Sequence, residues 1–367
     1  MGTIKQNLAN NIETLGKFDA TDLTGTIPAA NITNSSLSDI TTIPPSTSGG
    51  DLIQTVASDP PAPDFGDLWY NSTEQKIKLK GQSIPGGSWA SGADLNTARR
   101  QAGNTGISNT SSLGATGYGT THHTNTETYD GSAWTEVNDV NTARRGVGST
   151  GTQTAGIIFG GINGSTPYPG STLVESWDGT NWTEVGDLGT GRYMIAGMGT
   201  STAALAVAGY YPIVGIVESW NGTSWTEVGD LNTGRRGPYG SGTSTDAIAA
   251  GGQNNGTFTE SWNGSSWSEV SDLNTARDLH ASTGSGGTST SVLVFGNIGY
   301  SAGATSNELW NGSSWTELND LATARDLPMG SGSASSGLCF GGRAAPGAIA
   351  TTEEWNAATP NQSIQGS

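Results

Sequence analysis

The sequence predicts an all-β fold, a closed six-bladed β-propeller of four-stranded blades. Three observations carry that reading: a tryptophan-bearing repeat, a strand pattern inside each copy, and the half-copies at the two ends of the array. The second Trp of the repeat falls at 89, 134, 182, 225, 267 and 315, so successive copies lie 42 to 48 residues apart. Periods of roughly 40 to 50 residues are those of propeller blades.

Each copy resolves into four short strands. A turn of the form Asp-Leu-Asn-Thr-Ala-Arg leads into a Gly/Ser/Thr-rich strand, as in Arg145 to Thr152. An apolar strand follows and ends at glycine, as in Ala155 to Gly161 or Val292 to Gly296. After a variable loop come a third strand, Leu173 to Trp177, the turn Asp178-Gly179, and a fourth strand, Trp182 to Val185. Asp-Gly or Asn-Gly between two strand patterns is a strong hairpin cue. Blades converge on the axis, so the innermost strand needs small side chains. The paired Trp residues fill the wider gaps further out, each able to bury about 150–250 Å².

The ends of the array predict how the ring closes. The first copy starts halfway, at Ser88-Trp89, and the last stops halfway, at Glu353-Glu354-Trp355-Asn356. Trp89 is therefore expected on the fourth strand of the blade whose third strand holds Trp355. Closure of this kind removes exposed edges at the junction.

Composition excludes several classes. Glycine supplies 56 of the 367 residues, Leu, Ile, Val and Phe together only about a sixth, and the net charge is −17. That balance approaches the disordered range, but 12 tryptophans oppose it. No apolar run approaches the roughly 20 residues that span a bilayer, so membrane insertion is not expected. Met1 to Phe18 lacks a charged-then-apolar export pattern, and Sec-type export is not expected. The acidic balance disfavours nucleic acid as a partner. One cysteine, Cys339 in the apolar segment Gly337 to Phe340, allows no internal disulfide and reads as core.

An apolar strand ending in Gly-Gly, then Glu-x-Trp-Asp/Asn, then a second Trp, resembles the kelch repeat over about residues 87 to 358. The double glycine is complete at Gly160-Gly161, Gly251-Gly252 and Gly341-Gly342, and becomes Ala208-Gly209 or Gly296-Asn297 elsewhere. The resemblance implies the kelch-like propeller fold.

The N-terminal part differs from the array. All five lysines precede residue 81 and all ten arginines follow residue 98. Ile4, Leu8, Ile12 and Leu15 share one face of a short expected helix, which needs a partner to be stable. That partner is the chain's own propeller, a coiled-coil seam or another subunit. Leu23-Thr24-Gly25-Thr26-Ile27-Pro28 resembles segments of tailed-bacteriophage fibre proteins, which are commonly trimeric. Gly66-Asp67-Leu68-Trp69-Tyr70-Asn71 resembles a hairpin recurrent in phage virion structural proteins, and two strands are expected, Leu68 to Tyr70 and Lys76 to Lys80. The expected organisation is residues 1–45 for virion attachment or oligomerisation, 46–86 for a linker and hairpin, 87–358 for the propeller and 359–367 for a tail. Ile4, Leu8, Ile12, Leu15, Trp69 and Tyr70 are the attachment candidates.

Taken together these resemblances imply a structural protein of a phage virion, a homo-oligomer favoured as a trimer. It would be assembled in the host cytoplasm and exposed on the particle as a tail fibre or host-attachment protein. Its N-terminus docks on other virion subunits, and its propeller contacts host surface polysaccharide or protein. A capsid or tail decoration protein is one alternative, and a cellular kelch-type interaction module is another.

Catalytic chemistry is not expected, nor a cofactor, nor a metal site from His122, His123 and His280. Ser176 to Trp182 is similar to the Asp-box of sialidases but one residue short. A sialidase needs three non-equivalent arginines, whereas nine of the ten here lie in or beside one repeated turn. Those arginines read as structural, pairing with the turn aspartates Asp94, Asp139, Asp187, Asp230, Asp272 and Asp320. The loops between second and third strands differ in every copy and share a face with the Arg turns. Tyr168, Tyr210, Tyr211, Tyr300, His122 and His123 lie there and are the binding candidates.

Overall fold

The structure, a computed structural model, describes residues 54–58, 68–73, 76–79, 87–164, 169–253, 256–278, 280–284, 287–297, 305–357 and 363–364. The chain forms two compact units, one of Gly86–Ala357 and one of Met1–Pro85 with Ala358–Ser367. In the smaller unit, Leu68–Asn71 pairs antiparallel with Lys76–Leu79, the expected hairpin. Gln54–Val56 adds in parallel on one side and Ser363–Ile364 on the other. The expected helix carrying Ile4, Leu8, Ile12 and Leu15 lies outside the described residues.

The larger unit is a six-bladed propeller. Blades 1 to 5 span residues 103–137, 148–184, 196–227, 239–269 and 281–318, each a four-stranded antiparallel sheet in chain order. Blade 6 takes its first three strands from 329–356 and its fourth from Ser88–Ser91. Trp355 stands opposite Trp89 in that ladder, so the ring closes as the half-copies predict.

The repeat motifs have clear mechanical roles. In the hairpin between third and fourth strands, Asp178 Oδ1 accepts from the N–H groups of Thr180 and Asn181 at 2.8 and 2.7 Å, and Gly179 takes a φ of +95°. This turn sets Trp177 opposite Trp182, with ring centroids 5.3 Å apart. The fourth-strand Trp also reaches the preceding blade. Phe159 of blade 2 meets Trp225 of blade 3, Phe295 of blade 5 meets Trp89 of blade 6, and Phe340 of blade 6 meets Trp134 of blade 1, at 4.7 to 5.0 Å. Cys339 is buried within one of these inter-blade clusters, and burial pushes its thiol up to about 12.

Towards the axis the contacts become backbone-close. Asn104, Ser149, Gly197, Gly240, Ser282 and Gly330, one from each blade, line an axial cavity. A methyl group on Gly197 would lie 2.2 Å from the carbonyl oxygen of Ser149 in the next blade. Glycine is therefore required there by the approach of neighbouring innermost strands.

Candidate functional site

The site grows out of the connection between blades. In the turn entering blade 2, Val140 is buried, and Asn141 donates to Glu175 Oε2 from its backbone N–H and its side chain, at 2.7 and 2.8 Å. Arg144 then pairs with Oε1 of the same carboxylate at 2.5 Å, both side chains almost wholly buried. The same bond recurs as Arg99–Glu127, Arg192–Glu218, Arg235–Glu260, Arg277–Glu308 and Arg325–Glu353.

The partner is thus the third-strand Glu, not the turn Asp that the sequence suggested. The turn runs back over the sheet and carries the guanidinium above the third strand. The aspartate remains further out, where Asp139 accepts from the Thr124 hydroxyl at 2.9 Å.

The backbone of the same arginine holds the preceding blade. Gly117 N–H donates to the carbonyl of Arg144, Gly161 to Arg192, Gly209 to Arg235, Gly252 to Arg277, Asn297 to Arg325 and Gly342 to Arg99. These donors occupy the second position of the double glycine. At Gly160-Gly161 both residues have positive φ, +67° and +96°, a region that Gly enters without steric penalty.

Two residues past five of these arginines, among the described residues, the chain forms a collar. Gln101 N–H donates to Leu327 O, Gly146 to Gln101 O, Met194 to Gly146 O and Gly237 to Met194 O, at 2.7 to 3.3 Å. Every one of these five residues has positive φ, between +52° and +65°. The residue between the buried arginine and the collar is the one the frame leaves unused. It reads Arg100, Arg145, Tyr193, Arg236, Asp278 and Asp326 around the ring.

Those residues meet the variable loops at the mouth of the axis. Isolated bridges join Arg100 to Tyr118, Arg145 to Ile162, Tyr193 to Tyr210 and Asp326 to Arg343, so loops and turns share one face as expected. Two guanidiniums lie over the Tyr118 ring, that of Arg100 at 5.2 Å and that of Arg145 at 4.4 Å. His122 packs edge-on to the same ring at 5.2 Å. Tyr210 stands edge-on to Tyr193 at 5.2 Å, lies under Arg236, and has the exposed Tyr211 beside it.

The electrostatics follow from this crowding. Burial first, then the guanidiniums of Arg343 and Arg145, pull the pKa of Arg100 below its ordinary value. Burial, then Arg145 and His123, lower that of His122, and burial followed by Arg99 lowers that of His123. Burial and Tyr210 raise the Tyr193 hydroxyl, against Arg236 and Arg145. Arg343 grips Asp326 through Nε, at 2.8 Å, and a second nitrogen, while Arg236 lies 3.9 Å from Asp278. Arg100 and Arg145 have no carboxylate within ion-pair reach among the described residues.

Of the binding candidates, the structure gathers His122, His123, Tyr210 and Tyr211 on this face. Tyr168 and Tyr300 lie outside the described residues, and of the attachment candidates only the backbone of Trp69 and Tyr70 is described. Sequence reasoning missed Arg100, Arg145 and Arg236, because they follow framework arginines. The signal was the turn position after the framework arginine, where the copies carry Arg, Tyr or Asp.

No protein-family model matches the chain, and no curated protein matches it. A solved structure described as "Structure of YjhT" is similar in fold, with a TM-score of 0.59 at 14% identity, covering 74% of this chain and 98% of that one. The chain is a six-bladed β-propeller.

Proposed function

We propose that this chain is a non-enzymatic binding protein of a tailed-phage virion. Its N-terminal region attaches to the particle and its propeller presents the variable face to host surface glycan or protein. The observation that carries the binding part is the division of labour just described. Buried Arg–Glu pairs and carbonyl contacts repeat in every blade, whereas the loops differ in every blade and the mouth residue is Arg, Tyr or Asp. Such a frame tolerates change at its contact surface with little effect on stability. Aromatic rings beside Arg and Asn on that face suit glycan stacking or a protein contact. The virion part is supported by the phage-like segments at Leu23 to Pro28 and Gly66 to Asn71.

The test has two arms. Purified particles from a lysate of the infected host are probed with an antibody against the propeller, and the full chain is tested for binding to host envelope polysaccharide. Labelled particles and saturable binding support the reading. Labelling without binding supports decoration, and chain absent from the particles refutes a virion role.

A further inference from the structure

The four arginines outside the frame lie together. Of ten arginines, six are locked to the third-strand glutamates, and the others are Arg100, Arg145, Arg236 and Arg343. All four stand at the axial mouth on the variable face. With every lysine before residue 81, they are the permanent cations of the propeller that its Glu frame does not neutralise. Facing them at the mouth are Asp278 and Asp326, two carboxylates against four guanidiniums. None of the six variable loops contains Asp or Glu, in a chain whose net charge is −17.

Within this group Arg100 and Arg145 differ from the others. Both guanidiniums lie over one tyrosine ring with no carboxylate within ion-pair reach among the described residues, and Nε of Arg100 is buried without a hydrogen-bond partner. Two like charges held at one ring in a partly dry place repel each other, and an anion that contacts both relieves that repulsion. Guanidinium forks match the planar oxygens of carboxylate and the oxygens of phosphate. The collar holds both backbones rigidly through Gln101 and Gly146, so little ordering is required on binding.

We propose that Arg100 and Arg145, both over the ring of Tyr118, form an anion site at the mouth of the axis that takes the carboxylate or phosphate group of an acidic saccharide. His122 closes one side of the ring, and Tyr193 and Tyr210 offer aromatic surface to the sugar. The inference rests on the glycan-binding reading of this face and specifies its ligand chemistry.

The experiment is calorimetric titration of the full chain with an oligoglucuronate, a sugar-phosphate oligomer, a neutral malto-oligosaccharide and oligothymidylate. Saturable binding of an acidic oligosaccharide is expected, weakening as salt rises and at least tenfold weaker in both Arg100→Gln and Arg145→Gln. Arg100→Lys and Arg145→Lys, which keep the charge without the fork, should recover part of the loss. Thermal unfolding checks that each variant folds, which is expected because neither side chain is part of the frame. The glucuronate and phosphate arms tell which oxyanion is preferred. Equal binding of the neutral oligosaccharide, indifference to both Gln variants, tighter binding of oligothymidylate, or no binding by any probe overturns the anion site. Neutral-glycan binding would leave the adhesin reading intact, and acidic-saccharide binding by a chain absent from particles would leave the anion site intact.

Discussion

Glu175→Gln is the sharpest test of the frame, because it removes a charge and almost nothing else. Glu175 and Arg144 are both buried, and the carboxylate also accepts two hydrogen bonds from Asn141. The amide can still accept at one oxygen, but the guanidinium loses its counter-charge inside the protein. Breaking a buried pair in this way costs about 3–5 kcal/mol. Both Asn141 bonds reach Oε2, so an amide that keeps its oxygen towards Arg144 loses both, adding about 2 kcal/mol. A total on the order of 5–7 kcal/mol is a large share of the roughly 5–15 kcal/mol that stabilises a typical domain. Urea unfolding followed by Trp fluorescence measures it. The companion variant Arg144→Met and the double variant complete a cycle, in which the double should recover at least about 2 kcal/mol of the summed losses. Because Arg145 follows Arg144 directly, Glu175→Gln should also weaken binding at the mouth. A cost under about 1 kcal/mol, or strict additivity, would show that this pair does not hold the blade connection.

Three further outcomes are expected. Trp89→Ala should cost about 2–3 kcal/mol, less than a fully buried Trp, since Trp89 is half-buried against Trp355 and Phe295; faster amide exchange confined to Thr352–Asn356 would mark the loosened seam. Gly197→Ala should cost about 1–3 kcal/mol by overpacking, read as a lower urea midpoint, because its methyl meets the Ser149 carbonyl. His280 is buried, and burial first and Arg277 second lower its pKa to about 3 from 6.5. It is neutral in the fold, so its contribution is complete above pH 6.5 and is lost as pH falls from 6.5 towards 3. One proton limits the slope to about 1.4 kcal/mol per pH unit, and urea midpoints of His280→Gln should fall less steeply over that window than those of the parent.

Much of the fold was legible because propeller geometry imposes itself on residue type. The pairing of Trp89 with Trp355 followed from two half-copies, and the Gly-rich strands followed from crowding at the axis. The double glycine also has its reason, since Gly160 and Gly161 both take positive φ where Gly161 gives its N–H to Arg192. The acid partner of the turn arginine was not legible. Asp187 and Glu175 recur with the same period, and only the path of the turn over the sheet decides between them. The mouth was half legible: His122 and Tyr210 stood out as repeat-breaking loop residues. Arg100 and Arg145 were hidden by following Arg99 and Arg144, which made two different roles look like one.

That concealment points to how the ring separates stability from recognition. Each framework arginine is used twice, its side chain by the glutamate of its own blade and its carbonyl by the blade before. The collar fixes the residue two places on, so the intervening position is held in space without contributing to the frame. The chain already contains the comparison that shows this. Arg145 follows Arg144 in the turn into blade 2, and Asp278 follows Arg277 in the turn into blade 5, a reversal of charge at equivalent places. The framework ion pair nevertheless persists in both, Arg144–Glu175 at 2.5 Å and Arg277–Glu308 at 2.9 Å. Asn141 and Asn274 make the same bonds to their glutamates, at 2.7 and 2.8 Å from the backbone N–H. Reversing a charge at the mouth leaves the blade connection unchanged, so these positions can be rewritten without disturbing the frame. A protein that must change what it binds while keeping its shape gains most from such positions, and here they carry the arginines that the glutamates leave over.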